Sequence, residues 1–109
     1  MTQITFKKNQ ANEILEFTAD GHTEYGIEGE DIVCAAVSSI IQTAALGILM
    51  KAGVEAKITR DDARGYFKLE LPNNLTVTQR HDCNTILDTM YLGLADLSEN
   101  YSDFIEISF

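Results

Sequence analysis

Short stretches of alternating apolar and polar residues open and close the chain, and longer stretches of helical period lie between them. Ile4 and Phe6 flank Thr5, and the polar run from Lys7 to Asn12 then marks a turn. Residues 13–19 (EILEFTA) resume extended character through Ile14, Leu15 and Phe17, so the opening reads as a β-hairpin. A second hairpin is expected where VEAKITR and GYFKLEL flank DDAR. In its second arm Phe67, Leu69 and Leu71 share one face and Tyr66, Lys68 and Glu70 the other, the alternation of a strand buried on one side. Pro72, Asn73 and Asn74 end it. From about Thr76 to Glu99, Cys83, Ile86, Leu87, Met90, Leu94 and Leu97 recur at steps of mostly three or four, the stripe of an amphipathic helix. The final FIEISF reads as a closing strand with Ile105, Ile107 and Phe109 on one side.

Between the hairpins lies a different pattern. Residues 32–50 (IVCAAVSSIIQTAALGILM) run for nineteen positions without a charge, close to the length that spans a bilayer. Ser38, Ser39, Gln42 and Thr43 sit near its middle and alanine is frequent, so the segment reads as a helix at the centre of a fold. Asp31 is placed to cap its start and Gly53 to end it. Ahead of it, residues 20–30 (DGHTEYGIEGE) hold Gly21, Gly26 and Gly29 and no periodicity, which marks a loop long enough to serve function. The element order is ββαββαβ. The expected fold is α+β, one domain over residues 1–109 with two helices packed on one face of a mostly antiparallel sheet. The alanine-rich first helix suits close packing, including across a dimer interface.

Composition narrows the function classes. The 109 residues carry 8 basic and 17 acidic side chains, a net charge of −9, which argues against direct nucleic-acid binding. An acidic surface steers in a basic substrate or partner, or serves solubility alone, and both readings stay open. Two cysteines make no disulfide framework and the amino-terminal stretch has no apolar signal region, so a cytoplasmic location is expected.

Chemistry concentrates in residues 20–38. Cys34 lies twelve positions after His22 and, with Asp31 as cap, falls at the third helical position. A thiol in the first turn of a helix meets the positive end of the macrodipole and free N–H groups, which favour thiolate and suit an oxyanion. An imidazole nearby completes the ion pair of a cysteine hydrolase. The competing reading makes Cys34 a small buried apolar residue and His22 a loop residue. His81 and Cys83, two apart on a helix, point in roughly opposite directions, with Cys83 in the core stripe and His81 toward solvent. A zinc site joining them to His22 and Cys34 would need an unusual spacing, so no metal is expected.

The run Gly21-His22, Gly29, Asp31-Ile32-Val33-Cys34-Ala35-Ala36 and Ser38 resembles the signature of the Prp family, the ribosomal-processing cysteine proteases of bacteria. The likeness extends to chain length and to the ββαββαβ order. Thr23 departs from it, since a small alanine is usual there. The resemblance implies that Cys34 is the nucleophile and His22 its general base or imidazolium partner, with no cofactor or metal. It implies a substrate: the N-terminal extension of a large-subunit ribosomal protein, cut after an aromatic residue. It also implies a homodimer and a mobile loop between His22 and Cys34, to which Gly26 and Gly29 lend freedom unless they serve simple turns.

Two supporting residues keep two readings each. Asp31 caps the helix or acts as a third catalytic group toward His22. Ser38, one turn beyond Cys34, reaches the thiolate or substrate, or bonds back to the Cys34 carbonyl. Tyr25 is a substrate contact or a surface residue. The functional alternative is a non-catalytic ribosome-associated module that binds a basic protein tail, without direct nucleic-acid or membrane contact.

Overall fold

Alternation at the amino terminus produces strand β1 (Thr2–Lys8), whose Ile4 and Phe6 are fully buried while Gln3, Thr5 and Lys7 face out. It pairs antiparallel with β2 (Ile14–Asp20) in a register that sets Ile4 opposite Ala19 and Phe6 opposite Phe17. In the computed structural model, residues 1–21 and 30–109 are described, Glu30 and Asp31 by their backbone alone. A bulge between Lys7 and Lys8 shifts the register, so Ile14 and Phe17 both point inward although three positions apart.

The second hairpin is β3 (Lys57–Asp61) and β4 (Tyr66–Glu70). Gly65 takes φ +73 in the connecting turn, and the Asp61 carboxylate accepts the Arg64 N–H at 3.2 Å. The closing strand β5 (Ile105–Ser108) pairs with β1 in parallel, which gives a five-stranded mixed sheet in the order β3-β4-β2-β1-β5. All other pairings are antiparallel. The outward face is polar, with Glu16 near both Lys7 and Lys68.

In helix α1 (Glu30–Leu46) Asp31 is already helical and is not its cap, so Cys34 lies at least five residues into the helix instead of three. Its last turns widen into a π-helical segment, Gly47–Lys51. That segment closes with Ala52 N–H on the Gly47 carbonyl and Val54 N–H on the Ile48 carbonyl, and Gly53 takes φ +65 at the expected stop. Residues 32–51 are long and apolar enough to cross a membrane by length and composition. Here Val33, Val37, Ile41, Ala45 and Ile48 are buried in the core.

Helix α2 (Val77–Asn100) starts with a reciprocal capping box: the Thr76 hydroxyl accepts from Gln79 N–H, and the Gln79 side chain accepts from Thr76 N–H. Its buried stripe is Cys83, Leu87, Met90 and Leu94, with Ile86 and Leu97 at the margin. One cluster joins both helices to the inward sheet residues Ile4, Phe6, Phe17, Phe67 and Leu69. Phe6 meets Tyr91 edge-on at 5.6 Å and stacks on Phe109 at 5.7 Å, which fastens α2 and the chain end to the sheet.

Candidate active site

The register that builds the core also builds a cleft beside it. Ala19, Phe67 and Arg60 lie side by side across β2, β4 and β3 on the face turned toward the helices. Arg60 occupies the edge strand, where an inward position is still half exposed, and its guanidinium pairs with Asp62 at 3.1 Å. Against this floor α1 presents Cys34, Ser38 and Gln42, one turn apart on one helical face. Floor and helix enclose a cleft of about 250 Å³. Ala19, Val37, Ile41 and Phe67 make its apolar part, and Arg60, Asp62, Tyr66, Ser38 and Gln42 its polar rim.

Gly21 closes one end. Its φ is +149, and its N–H donates to the Gly65 carbonyl at 3.2 Å. A Cβ added here would overlap the Met1 carbonyl oxygen and lie 2.7 Å from Thr2 Cα, so only glycine lets the start of β1 approach β2 this closely. Thr2 is thereby held in the cleft wall, and its Oγ1 lies 3.5 Å from Cys34 Sγ.

The two cysteines differ sharply. Cys34 is half-buried and opens onto the cleft, while Cys83 is fully buried in the apolar stripe of α2. Burial pushes the Cys83 thiol up, Arg80 works the other way, and Asp82 adds to the rise. His81 is exposed, with Nδ1 3.2 Å from the Asp82 carboxylate, so the expected divergence of His81 and Cys83 is what the helix produces.

The earlier helix start changes the electrostatics assumed for Cys34. The helical pattern engages the Cys34 N–H with the Glu30 carbonyl. Cys34 is therefore not a donor to an oxyanion through its own amide. Its side chain leans toward the amino-terminal end of the helix. Ser38 is exposed on the cleft side. His22, Tyr25, Gly26, Gly29 and the expected mobile loop lie outside the described residues, as does the side chain of Asp31.

Comparison with known proteins decides among the classes this cleft permits. A family model described as cysteine protease Prp matches residues 1–106. The chain belongs to the Prp family. It is a cysteine protease by that membership, which sets aside the non-catalytic module. The ribosomal processing cysteine protease Prp of Bacillus subtilis (strain 168) is 27% identical over 108 residues, 99% of this chain and 96% of that one. The essential ribosomal processing protease Prp of S. aureus, solved with a covalently linked product peptide, superposes with a TM-score of 0.85 at 26% identity over 99% of this chain and 98% of that one. A complex of the S. aureus protease with a substrate peptide gives a TM-score of 0.89 over the whole of both chains at 24% identity, a likeness of fold. The ββαββαβ order and mostly antiparallel sheet are thus those of Prp structures.

Sequence reasoning missed five polar cleft residues: Thr2, Gln42, Arg60, Asp62 and Tyr66. Gln42 was within reach, since it continues the four-residue step from Cys34 through Ser38. Thr2 was also marked, as the polar member of the inward series Thr2, Ile4 and Phe6. Arg60 and Tyr66 join the site only through the register of β3 and β4.

Proposed function

We propose that this Prp protein is an endopeptidase that removes the N-terminal extension of a large-subunit ribosomal protein, cutting after an aromatic residue. The observation that carries the reading is a half-buried Cys34 at the wall of a cleft whose floor is apolar and whose rim is polar. In this reading the apolar floor receives the aromatic side chain ahead of the scissile bond. The Cys34 thiolate attacks the scissile carbonyl, and the oxygen of the tetrahedral intermediate is held by free N–H groups at the start of α1. His22, which follows the cleft residue Gly21 in the chain, protonates the leaving amine. A water then adds to the thioester, His22 takes its proton, and collapse releases the new carboxylate and the thiolate. Asp31 and Ser38 support these groups.

The net charge of −9 complements a basic ribosomal-protein substrate, and a thiol nucleophile suits the reducing cytoplasm. The reading includes a homodimer. Ile32 and Leu46 are exposed on α1 and Met50 on the π-helical segment after it, and Ser39 and Thr43 continue their stripe into an apolar groove between α1 and α2 floored by Ile40, Gly47, Ile86 and Met90. Sedimentation should give a dimer mass that Met50→Lys lowers toward the monomer.

The decisive experiment incubates the protein with the ribosomal protein bearing its extension and measures intact masses. Wild type should release a peptide ending in an aromatic residue, and Cys34→Ala should release none while remaining folded. Cleavage by Cys34→Ala at the wild-type rate would remove Cys34 as nucleophile.

A further inference from the structure

Thr2 is the one buried polar residue among the described residues, at 4% exposure. It sits first in an inward series whose other members, Ile4 and Phe6, are apolar. Nothing in the packing of that position asks for a hydroxyl: a valine has the same shape and the same preference for strands. A buried hydroxyl costs stability unless it is hydrogen-bonded. Its Oγ1 lies 3.5 Å from Cys34 Sγ, across thirty-two positions of chain. The Thr2 backbone is fixed independently, by its N–H on the Phe104 carbonyl at 2.8 Å and by the close approach of Gly21.

We propose that Thr2 is a positioning residue for the peptide-bond hydrolysis, holding Cys34 Sγ at the cleft wall by donating its hydroxyl to the thiolate. The inference rests on Cys34 as nucleophile. A thiolate is an acceptor only, so the hydroxyl must be the donor once the sulfur is ionised. A hydrogen bond to an ionised partner is roughly twice as strong as one between neutral groups, so the contact holds the reacting form of the sulfur in place. It also compensates for the place of Cys34 in the helix. At least five residues into the helix, Cys34 sits past the turn in which the macrodipole acts most strongly. The support that the helix start gives incompletely comes here from the first residue of β1. Such a bond also selects one side-chain rotamer and so orients the sulfur lone pairs.

The test is alkylation of Cys34 by iodoacetamide between pH 5 and 9, read by peptide mass, in wild type, Thr2→Val and Thr2→Ser. Thr2→Val keeps the shape and removes the hydroxyl. Its alkylation rate at neutral pH should fall by about tenfold. Thr2→Ser keeps the hydroxyl and removes a methyl group, and it should stay within about twofold of wild type at every pH. kcat for cleavage should fall in Thr2→Val and be restored in Thr2→Ser, with KM little changed. If Thr2→Val fails to fold, Thr2→Ala against Thr2→Ser isolates the same hydroxyl. A Thr2→Val profile that overlays wild type overturns the proposal, as does Thr2→Ser impaired as much as Thr2→Val, because packing alone would then explain the position. Cys34→Ala keeps the two ideas apart. If it still cleaves, the nucleophile assignment fails; if it is inactive while Thr2→Val matches wild type, the Thr2 role alone fails.

Discussion

Replacing Gly21 by alanine tests how the cleft is held together. The residue has φ +149, a region that side chains avoid at a cost of about 1–3 kcal/mol. The new Cβ meets the Met1 carbonyl and Thr2 Cα, which are backbone atoms and cannot swing aside as the end of a side chain does. The start of β1 must move, and with it the bond from Thr2 N–H to the Phe104 carbonyl, worth about 1 kcal/mol net. Alanine restricts the unfolded chain and so returns about 0.4–1 kcal/mol. The net loss is about 1–3 kcal/mol, or roughly 5–20 °C in Tm for a domain of this size. Gly53→Ala is the control. Its φ is +65 but nothing lies within 4 Å of the new Cβ, so only backbone strain applies, about 1 kcal/mol. Urea unfolding of the three proteins, compared at equal m-value, gives the ranking. Gly21→Ala should be the less stable variant, and under conditions where it is still folded it should also cleave slowly, because Thr2 and Cys34 lose their registration. A Gly21→Ala protein no less stable than Gly53→Ala, or within about 0.5 kcal/mol of wild type, would refute the close-approach argument.

Other expectations follow from the same interactions. Iodoacetamide should modify Cys34 in the folded protein and reach Cys83 only as fast as the protein opens, so equal rates in native buffer would contradict the burial of Cys83. Burial raises the Cys83 thiol, so the unfolded chain releases that proton first, and unfolding should become easier above about pH 9 in wild type but not in Cys83→Ala. Glu13 is held below the usual carboxylate range by the side chains of Asn9 and Asn84 and by Arg80. Its contribution is therefore present above the ordinary carboxylate value and lost as pH falls through the depressed one. Wild type should lose its stability advantage over Glu13→Gln below about pH 4.5, and a constant difference down to pH 2 would discount the clamp. Raising salt should lower kcat/KM for a basic substrate mainly through slower association, since exposed charges are screened over roughly 8 Å at physiological ionic strength. A flat salt profile would reduce the acidity to a solubility feature.

How far the chain could be read depended on whether its signals were local. The strand alternation at Phe67 and Leu69, the stripe from Cys83 to Leu94 and the stop at Gly53 are local patterns, and each element appears within a residue or two of its expected bounds. Two features were not local. The bulge opposite Lys7 and Lys8 is a property of two paired strands, and it turns both Ile14 and Phe17 inward. Asp31 lies inside α1 and does not cap it, which puts Cys34 at least five residues into the helix instead of three, and a capping residue type alone does not set that register.

The active site divides the same way. The motif around Cys34 was legible because one helix carries Cys34, Ser38 and Gln42 at a fixed step. The opposite wall was not, because Arg60, Phe67 and Ala19 meet only when three strands pair in one register, and Thr2 meets Cys34 only when Gly21 admits the start of β1. A sequence motif therefore names the reacting group, while the residues that orient it come from elsewhere in the chain and are fixed by sheet register. This has a consequence for related chains. Substitutions at Thr2 or Gly21 should alter the reactivity of Cys34 without touching the motif, whereas substitutions on the polar outer face of the sheet, at Lys68 or Glu16, should alter neither the reactivity nor the cleft.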